Sequence, residues 1–116
     1  MREQDVQDWI KGQISANDVV LFMKGTKDRP QCGFSQRVSQ ILNYLGVEYK
    51  DIDVLADQNV REGIKVFTNW PTIPQLYVKG DFVGGADIVT EMFQSGDLDT
   101  LFNEKGVPTR KSHADA

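Results

Sequence analysis

Hydrophobic positions along the chain follow two periods, and each change of period marks a new element. Apolar residues three or four positions apart predict helices, whereas short continuous or alternating apolar runs predict strands. Helices are expected over residues 3–15, 33–45, 59–68, 88–94 and 97–104. Strands are expected over residues 19–23, 47–54, 75–78 and 81–83. The predicted element order is therefore αβαβαββαα.

This order predicts an α/β fold of thioredoxin-like type, with a mixed four-stranded sheet and helices on both faces. The first two strands are joined through a helix and should be parallel, while the last two flank Lys79-Gly80 and should form an antiparallel hairpin. The run VVLFM at 19–23 is apolar throughout, as in a strand that is covered on both faces. A length of 116 residues suits one domain. We expect that domain over 1–105 and a flexible tail over 106–116, which has almost nothing to bury.

Composition and charge exclude several classes of protein. The chain is 40% hydrophobic and 26% charged, unlike disordered or fibrous sequences. Its net charge of −4 argues against a general nucleic-acid binder, and no apolar run approaches the ~20 residues of a membrane span. Residues 1–8 have neither the apolar core of a signal peptide nor the acid-poor character of a transit peptide. We therefore expect a bacterial-type cytoplasmic location or, after removal of a presequence, an organelle matrix.

The single cysteine, Cys32, carries all the thiol chemistry that the chain offers. It follows the polar loop 25–31 and precedes a predicted helix, whose free N–H groups and dipole favour a thiolate. Lys24 adds a positive charge nearby. The alternative is a buried, inert cysteine, since free cysteines are so often buried, but the polar surroundings favour a redox-active thiol. Ser35 stands where a dithiol oxidoreductase would have its resolving cysteine, so any disulfide of Cys32 must be with another molecule.

Several short motifs stand in order along residues 19–102. They are Met23-Lys24-Gly25, Pro30, Cys32-Gly33-Phe34-Ser35, Asn69-Trp70-Pro71-Thr72-Ile73-Pro74-Gln75-Leu76 and Gly84-Gly85-Ala86-Asp87-Ile88. In these motifs the sequence resembles the monothiol glutaredoxins of the CGFS type. The resemblance implies a thioredoxin fold, a glutathione site and a 2Fe–2S cluster shared between two subunits. It also implies partners, namely a BolA-type protein and iron–sulfur acceptor apoproteins.

The number of ligands agrees with a shared cluster. Such a cluster usually has four ligands, commonly thiolates, and one chain offers only Cys32. Two chains supply two sulfurs and two glutathione thiolates complete the set, so we expect a homodimer in the cluster-bound state. The only histidine, His113, lies in the predicted tail and is expected to be a solvated residue and not a ligand.

The resemblance assigns cationic residues to the glycine-end carboxylate of glutathione. Lys24 and Arg61 match the family positions, and a guanidinium suits two-point binding of a carboxylate. Lys65 lies one helical turn beyond Arg61 and is expected to assist. Without the family match, an ordinary solvated helix face would be the better interpretation of Arg61 and Lys65.

Two further segments are assigned to the rest of glutathione by resemblance. Thr72-Ile73-Pro74 is similar to the cis-proline loop of the fold, where the backbone of Ile73 would pair with the cysteinyl unit. Ala86 and Asp87 open a helix whose N–H groups would bind the γ-glutamyl carboxylate, and Asp87 would bind its ammonium group as well as cap the helix. Many relatives have a second cysteine at the position of Ala86, so redox behaviour through an internal disulfide is not expected here.

Three functions are compatible with these residues. The leading prediction is an iron–sulfur cluster carrier that uses Cys32 and glutathione. The second is a glutathione-dependent oxidoreductase that removes glutathione from proteins. The absence of a resolving thiol favours the carrier, as does the 25–31 loop, which is longer than in dithiol relatives. The third, an inert thioredoxin-like adaptor, would require Cys32 to be dispensable.

Overall fold

The computed structural model describes residues 2–110 and contains the nine predicted elements in the predicted order. The helices are α1 (Glu3–Ala16), α2 (Gly33–Leu45), α3 (Gln58–Thr68), α4 (Ala86–Ser95) and α5 (Asp97–Glu104). The strands are β1 (Val19–Met23), β2 (Lys50–Asp53), β3 (Gln75–Val78) and β4 (Asp81–Gly84). In the described part of the chain, no helix is long and apolar enough to cross a membrane.

The four strands form one mixed sheet in the order β2-β1-β3-β4. Strand β1 is parallel to β2, with Val20 opposite Lys50, and antiparallel to β3, with Val20 opposite Tyr77. Strands β3 and β4 are antiparallel, with a register shift between Leu76 and Tyr77. The predicted mixed sheet, the parallel first pair and the antiparallel hairpin are thus confirmed.

Side chains of the central strand alternate between two cores. Val19, Leu21 and Met23 face a core that includes residues of α2, α4 and α5. Val20 and Phe22 face a second core with residues of α1 and α3. Every residue of β1 is buried, which confirms that the strand is covered on both faces. The start of α2 lies in space next to the carboxyl end of β1, although the 25–31 loop separates the two elements in the sequence.

Two predicted boundaries differ from the structure by two residues or more, and the others agree to within one residue. Strand β2 begins at Lys50 and not at 47, because Val47 and Tyr49 are buried in the core of the α2 side before the strand pairs with β1. Helix α4 begins at Ala86, and the extended residue Gly85 is its N-cap (φ −93°, ψ −163°). The prediction that Asp87 caps this helix is therefore wrong, since Asp87 lies within the first turn.

The beginning of the predicted tail is packed. The N–H of Val107 donates to the carbonyl of Phe102 (2.8 Å), which folds the chain back after α5 and buries Val107 and Thr109. The expectation that 106–116 has almost nothing to bury is therefore wrong for residues 107–109. A run of three residues is too short to show a hydrophobic period. His113 and the rest of 111–116 lie outside the described residues.

Candidate functional site

Cys32 is the residue immediately before α2, in extended conformation (φ −149°, ψ 136°). The pKa of the Cys32 thiol is lowered, chiefly by the backbone N–H of Ser35. Partial burial raises the pKa, whereas the N–H of Phe34, the charge of Lys24 and the Ser35 hydroxyl lower it further. The free N–H groups of a first helical turn therefore stabilise the thiolate, as the sequence predicted.

Ser35 has a structural role next to this sulfur. Its side chain is fully buried, and its Oγ accepts a hydrogen bond from the backbone N–H of Lys24 (3.0 Å). The first turn of α2 is thereby joined to the end of β1. The position at which a second thiol would be needed for an internal disulfide is thus occupied by a hydroxyl that holds the site together.

The 25–31 loop is attached to the neighbouring strand β2 by its backbone. The N–H of Gly25 donates to Asp53 Oδ1 (2.9 Å), and the N–H of Lys27 donates to Asp51 Oδ2 (2.8 Å). The Lys27 ammonium donates to the carbonyl of Tyr49 (2.7 Å) and lies 4.4 Å from the centre of its ring. These contacts hold the loop that precedes Cys32 against the sheet edge.

The 70–74 loop faces Cys32 from the other direction. The Ile73–Pro74 peptide bond is cis, as expected from the resemblance. The aromatic side chain of Trp70 packs on Phe82, with ring centroids 5.7 Å apart, and remains partly exposed. This contact gives Trp70 a packing role between the loop and β4.

These elements enclose a cleft of about 520 Å³. All the sequence-predicted site residues line it: Lys24, Cys32, Arg61, Lys65, Ile73, Ala86 and Asp87. The remaining lining residues are Phe34, Trp70, Pro71, Thr72, Pro74, Gly85 and Ile88. Lys24, which follows β1, and residues from α2, α3, α4 and the 70–74 loop thus come together around one thiol.

The charges that line the cleft have both signs. Lys24 and Arg61 form no ion pair with any residue in 2–110, while Lys65 lies 3.5 Å from Glu62 in an exposed pair within α3. Exposed pairs of this kind contribute little, so Lys65 remains available to a ligand. Asp87 and the N–H groups of the first turn of α4 add a carboxylate and an anion-binding helix start. The cleft can therefore bind a small molecule with carboxylates and an ammonium group.

A single chain does not supply a complete metal site within residues 2–110. No group of three or more histidine, cysteine, aspartate or glutamate side chains is placed to hold a metal ion there. Any iron at Cys32 would need further ligands from outside the described chain.

Sequence reasoning missed the residues that support the two loops. Asp51 and Asp53 accept the loop N–H groups, and the fully buried Gln75 contacts the 70–74 loop. A signal was present in both places: two carboxylates at alternate positions of a strand, and an amide at the start of the otherwise apolar QLYV.

Comparisons with known proteins agree with the geometry. The glutaredoxin family model matches residues 19–83. A Synechocystis protein described as an uncharacterized monothiol glutaredoxin ycf64-like is 58% identical over 88 residues, which cover 76% of this chain and 82% of that protein. A probable monothiol glutaredoxin 2 from Rickettsia typhi is 51% identical over 105 residues, covering 90% of this chain and 95% of that protein.

A solved structure supports the same assignment. The solution structure of a monomeric truncated mutant of Trypanosoma brucei 1-C-Grx1 has a TM-score of 0.81 and 45% identity, covering 95% of this chain and 96% of that one. The sheet and the helices are those of the thioredoxin fold. The chain therefore belongs to the glutaredoxin family, in which its similar relatives are named monothiol glutaredoxins.

Proposed function

We propose that this chain binds glutathione in the cleft and, with Cys32, holds a 2Fe–2S cluster that it delivers to iron–sulfur acceptor apoproteins. The observation that carries the proposal is the position of Cys32, whose thiolate is stabilised at the edge of a cleft lined by a helix start and by Lys24 and Arg61, which form no ion pair within residues 2–110. A thiolate ligand and a binding site for a thiol peptide are the two components that such a carrier requires.

The cleft suits glutathione group by group. The cations Lys24 and Arg61, assisted by Lys65, would bind the glycine-end carboxylate. The N–H groups at Ala86 and Asp87 would bind the γ-glutamyl carboxylate, and the Asp87 carboxylate would bind the ammonium group. These assignments leave the cysteinyl unit in the middle of the peptide, where the backbone of Ile73 would pair with it and direct its sulfur toward Cys32.

The cluster is cargo in this proposal, and its ligands come from four molecules. Each of two chains supplies Cys32, and each of two glutathione molecules supplies one thiolate, which completes a four-sulfur set. The cluster-bound form is therefore a homodimer, and ligand exchange with the thiolates of an acceptor releases the cluster. A BolA-type protein in place of the second chain is a further proposed partner. We place the carrier in a bacterial-type cytoplasm or an organelle matrix, with no nucleic-acid or membrane partner.

A second candidate function, protein deglutathionylation, is favoured by the lowered pKa of the Cys32 thiol. The thiolate would attack the glutathione sulfur of a mixed disulfide, and the electron pair of the broken S–S bond would leave with the protein thiolate. Because Ser35 cannot resolve the new disulfide, a second glutathione thiolate must attack it and release oxidised glutathione. Dependence on this external step makes the exchange the weaker candidate.

Anaerobic reconstitution with iron, sulfide and glutathione tests the proposal. Visible absorption reports the cluster, and size-exclusion chromatography with mass measurement reports the dimer. We expect a coloured dimer for the wild type with glutathione, and a colourless monomer for Cys32→Ser or without glutathione. A colourless monomer under all conditions, together with measurable deglutathionylation, would overturn the carrier function and favour the enzyme.

A further inference from the structure

Gln75 is a fully buried amide below the 70–74 loop. Its Nε2 donates two hydrogen bonds, to the carbonyl of Trp70 (3.0 Å) and to the carbonyl of Thr72 (3.2 Å). Its Oε1 accepts from the Tyr77 hydroxyl (3.0 Å), and the Thr68 hydroxyl oxygen lies 3.1 Å away. Both amide protons and the amide oxygen therefore have partners.

The partners of Gln75 are themselves held in place. The Thr68 hydroxyl donates to the carbonyl of Ile64 in α3 (2.8 Å) and accepts from the N–H of Trp70 (3.2 Å). Burial raises the pKa of Tyr77 to about 12, so its hydroxyl stays protonated and continues to donate at every working pH. The amide thus connects α3 and β3 to two carbonyls of one loop through neutral hydrogen bonds.

Filling the volume at residue 75 does not require an amide, and what the amide adds is a hydrogen-bond partner for the carbonyls of Trp70 and Thr72. Residue 75 lies in a strand whose four residues are all buried, where an aliphatic side chain of similar size would fill the same volume without the cost of desolvating an amide. A fully satisfied buried polar group instead fixes the groups that it binds in one arrangement. Here those groups are the backbone of Trp70 and Thr72, two residues of the cleft.

The 70–74 loop also supports the opposite wall of the cleft. A Cβ at Gly85 would lie 3.3 Å from the carbonyl oxygen of Pro74 and 3.4 Å from Trp70 Nε1, which shows how closely the start of α4 approaches the loop. A shift of the loop would therefore move both Ile73 and the helix start at Ala86.

We propose that Gln75 is a positioning residue for glutathione recognition, because its buried amide fixes the backbone of the 70–74 loop and, through it, the two walls of the cleft that bind the peptide. This inference rests on the proposed glutathione site. Gln75 itself does not line the cleft and acts only through the loop.

Thiol–disulfide equilibria separate this role from the chemistry of the thiol. Reduced protein is equilibrated with graded ratios of glutathione and glutathione disulfide, and the Cys32 mixed disulfide is quantified by intact mass. In this step the Cys32 thiolate forms a bond to one glutathione sulfur, and the other glutathione leaves as a thiolate with the electron pair. The titration is repeated with 2-mercaptoethanol and its disulfide, which have the same reacting sulfur without the peptide. The ratio of the two equilibrium constants measures peptide recognition alone.

We expect Gln75→Leu to lower this ratio about tenfold, the effect of one lost hydrogen bond to the peptide. The constant for the 2-mercaptoethanol pair should not change. Gln75→Glu keeps the size of the side chain and an acceptor but lacks the two amide protons, so it should also lower the ratio. This variant replaces the leucine variant if the latter fails to fold. Tyr77→Phe is the matched control, because it removes one hydrogen bond of the network and leaves both bonds to the loop. It should change the ratio less than twofold.

The outcomes distinguish the two proposals. A ratio near one in the wild type would overturn the glutathione site itself and the inference with it. A clear preference for glutathione in the wild type that persists in both folded Gln75 variants would overturn only the positioning role. If the constants for glutathione and for 2-mercaptoethanol fell in parallel in the Gln75 variants, the positioning role would also be overturned, since the substitution would then have changed the thiol itself.

Discussion

Two loops flank Cys32, and they are fixed by opposite means. The 25–31 loop is attached by backbone N–H groups to the charged carboxylates of Asp51 and Asp53 at the edge strand of the sheet, where the Lys27 contact is exposed and the Gly25 contact is partly buried. The 70–74 loop is attached by the amide of Gln75 within the core. Exposed charged contacts are screened and compete with water, whereas buried neutral hydrogen bonds do not.

The difference assigns separate duties to the two loops. Lys24, the residue before the first loop, and the first turn of α2, the element after it, both lower the pKa of the Cys32 thiol, so the first loop connects the groups that set the charge state of the thiol. The second loop supplies the backbone that would recognise glutathione. Substitutions in one loop should therefore change one property and leave the other nearly constant, and five experiments test this separation.

The largest effect is expected from Gly25→Ala, which breaks the first loop. Gly25 has φ +89°, and an added Cβ would overlap the carbonyl oxygen of Arg29 and lie 2.7 Å from the N of Gln31. We expect a loss of about 3 kcal/mol in the free energy of unfolding, measured by urea denaturation, because a strained dihedral and a backbone overlap combine. Gly80→Ala is the matched control, with φ +86° and nothing within 4 Å, and should cost about 1 kcal/mol. Equal losses in the two variants would contradict the tight packing of the loop.

The second experiment measures how much the buried Gln75 amide contributes to the stability of the protein. Gln75→Leu leaves the carbonyls of Trp70 and Thr72 and the Tyr77 hydroxyl without their partner. We expect a loss of about 2 kcal/mol in the free energy of unfolding, nearly independent of salt, since the groups are neutral and buried. A loss of stability that shrinks strongly with added salt would show that the Gln75 anchor behaves like the charged Asp53 anchor.

The third experiment addresses the charged anchor at Asp53. Asp53→Asn keeps an oxygen acceptor for the N–H groups of Gly25 and Leu55 but removes its charge. We expect a loss of about 1 kcal/mol or less at low salt, which decreases as salt screens the wild-type contact. Hydrogen exchange should show faster exchange of the Gly25 N–H and no change in the 70–74 loop. Faster exchange in both loops would contradict their independence.

The sequence predicted the elements and the thiol well because those depend on local pattern. Residues close together in the sequence are enough to predict the apolar run of β1, the helical spacing of α2 and the place of Cys32 between loop and helix. The Gln75 anchor was missed because it reaches back only five residues to Trp70, through an irregular turn that follows neither a helical nor a strand period. The Asp53 anchor was missed because it joins residues far apart in the chain, since Asp53 contacts Gly25. The packing of Val107 was missed for the same reason, since it depends on the core that α5 helps to form.

The smallest effect is expected in the pH dependence of the Cys32 thiol. Its pKa in the folded protein is lowered, chiefly by the N–H of Ser35 and further by Lys24. The folded state therefore favours the thiolate, and this contribution to stability is fully present above about pH 8.5, where an unfolded thiol ionises. It is lost as the pH falls through the lower pKa of the folded state. The free energy of unfolding of the wild type minus that of Cys32→Ser, measured in reductant, should thus rise with pH across this window.

Alkylation of Cys32 by iodoacetamide at graded pH relates that titration to the two loops. Lys24→Gln removes one of the groups that lower the pKa, so the midpoint of the rate profile should move to higher pH. Gln75→Leu should leave the midpoint unchanged, because neither the amide nor the 70–74 loop is among the causes of the shift. The thiolate would then depend on the groups that flank the first loop, and peptide recognition on the second loop. If the midpoint moved equally in both variants, the loops would act as one unit, and the difference between their anchors would have no consequence for function.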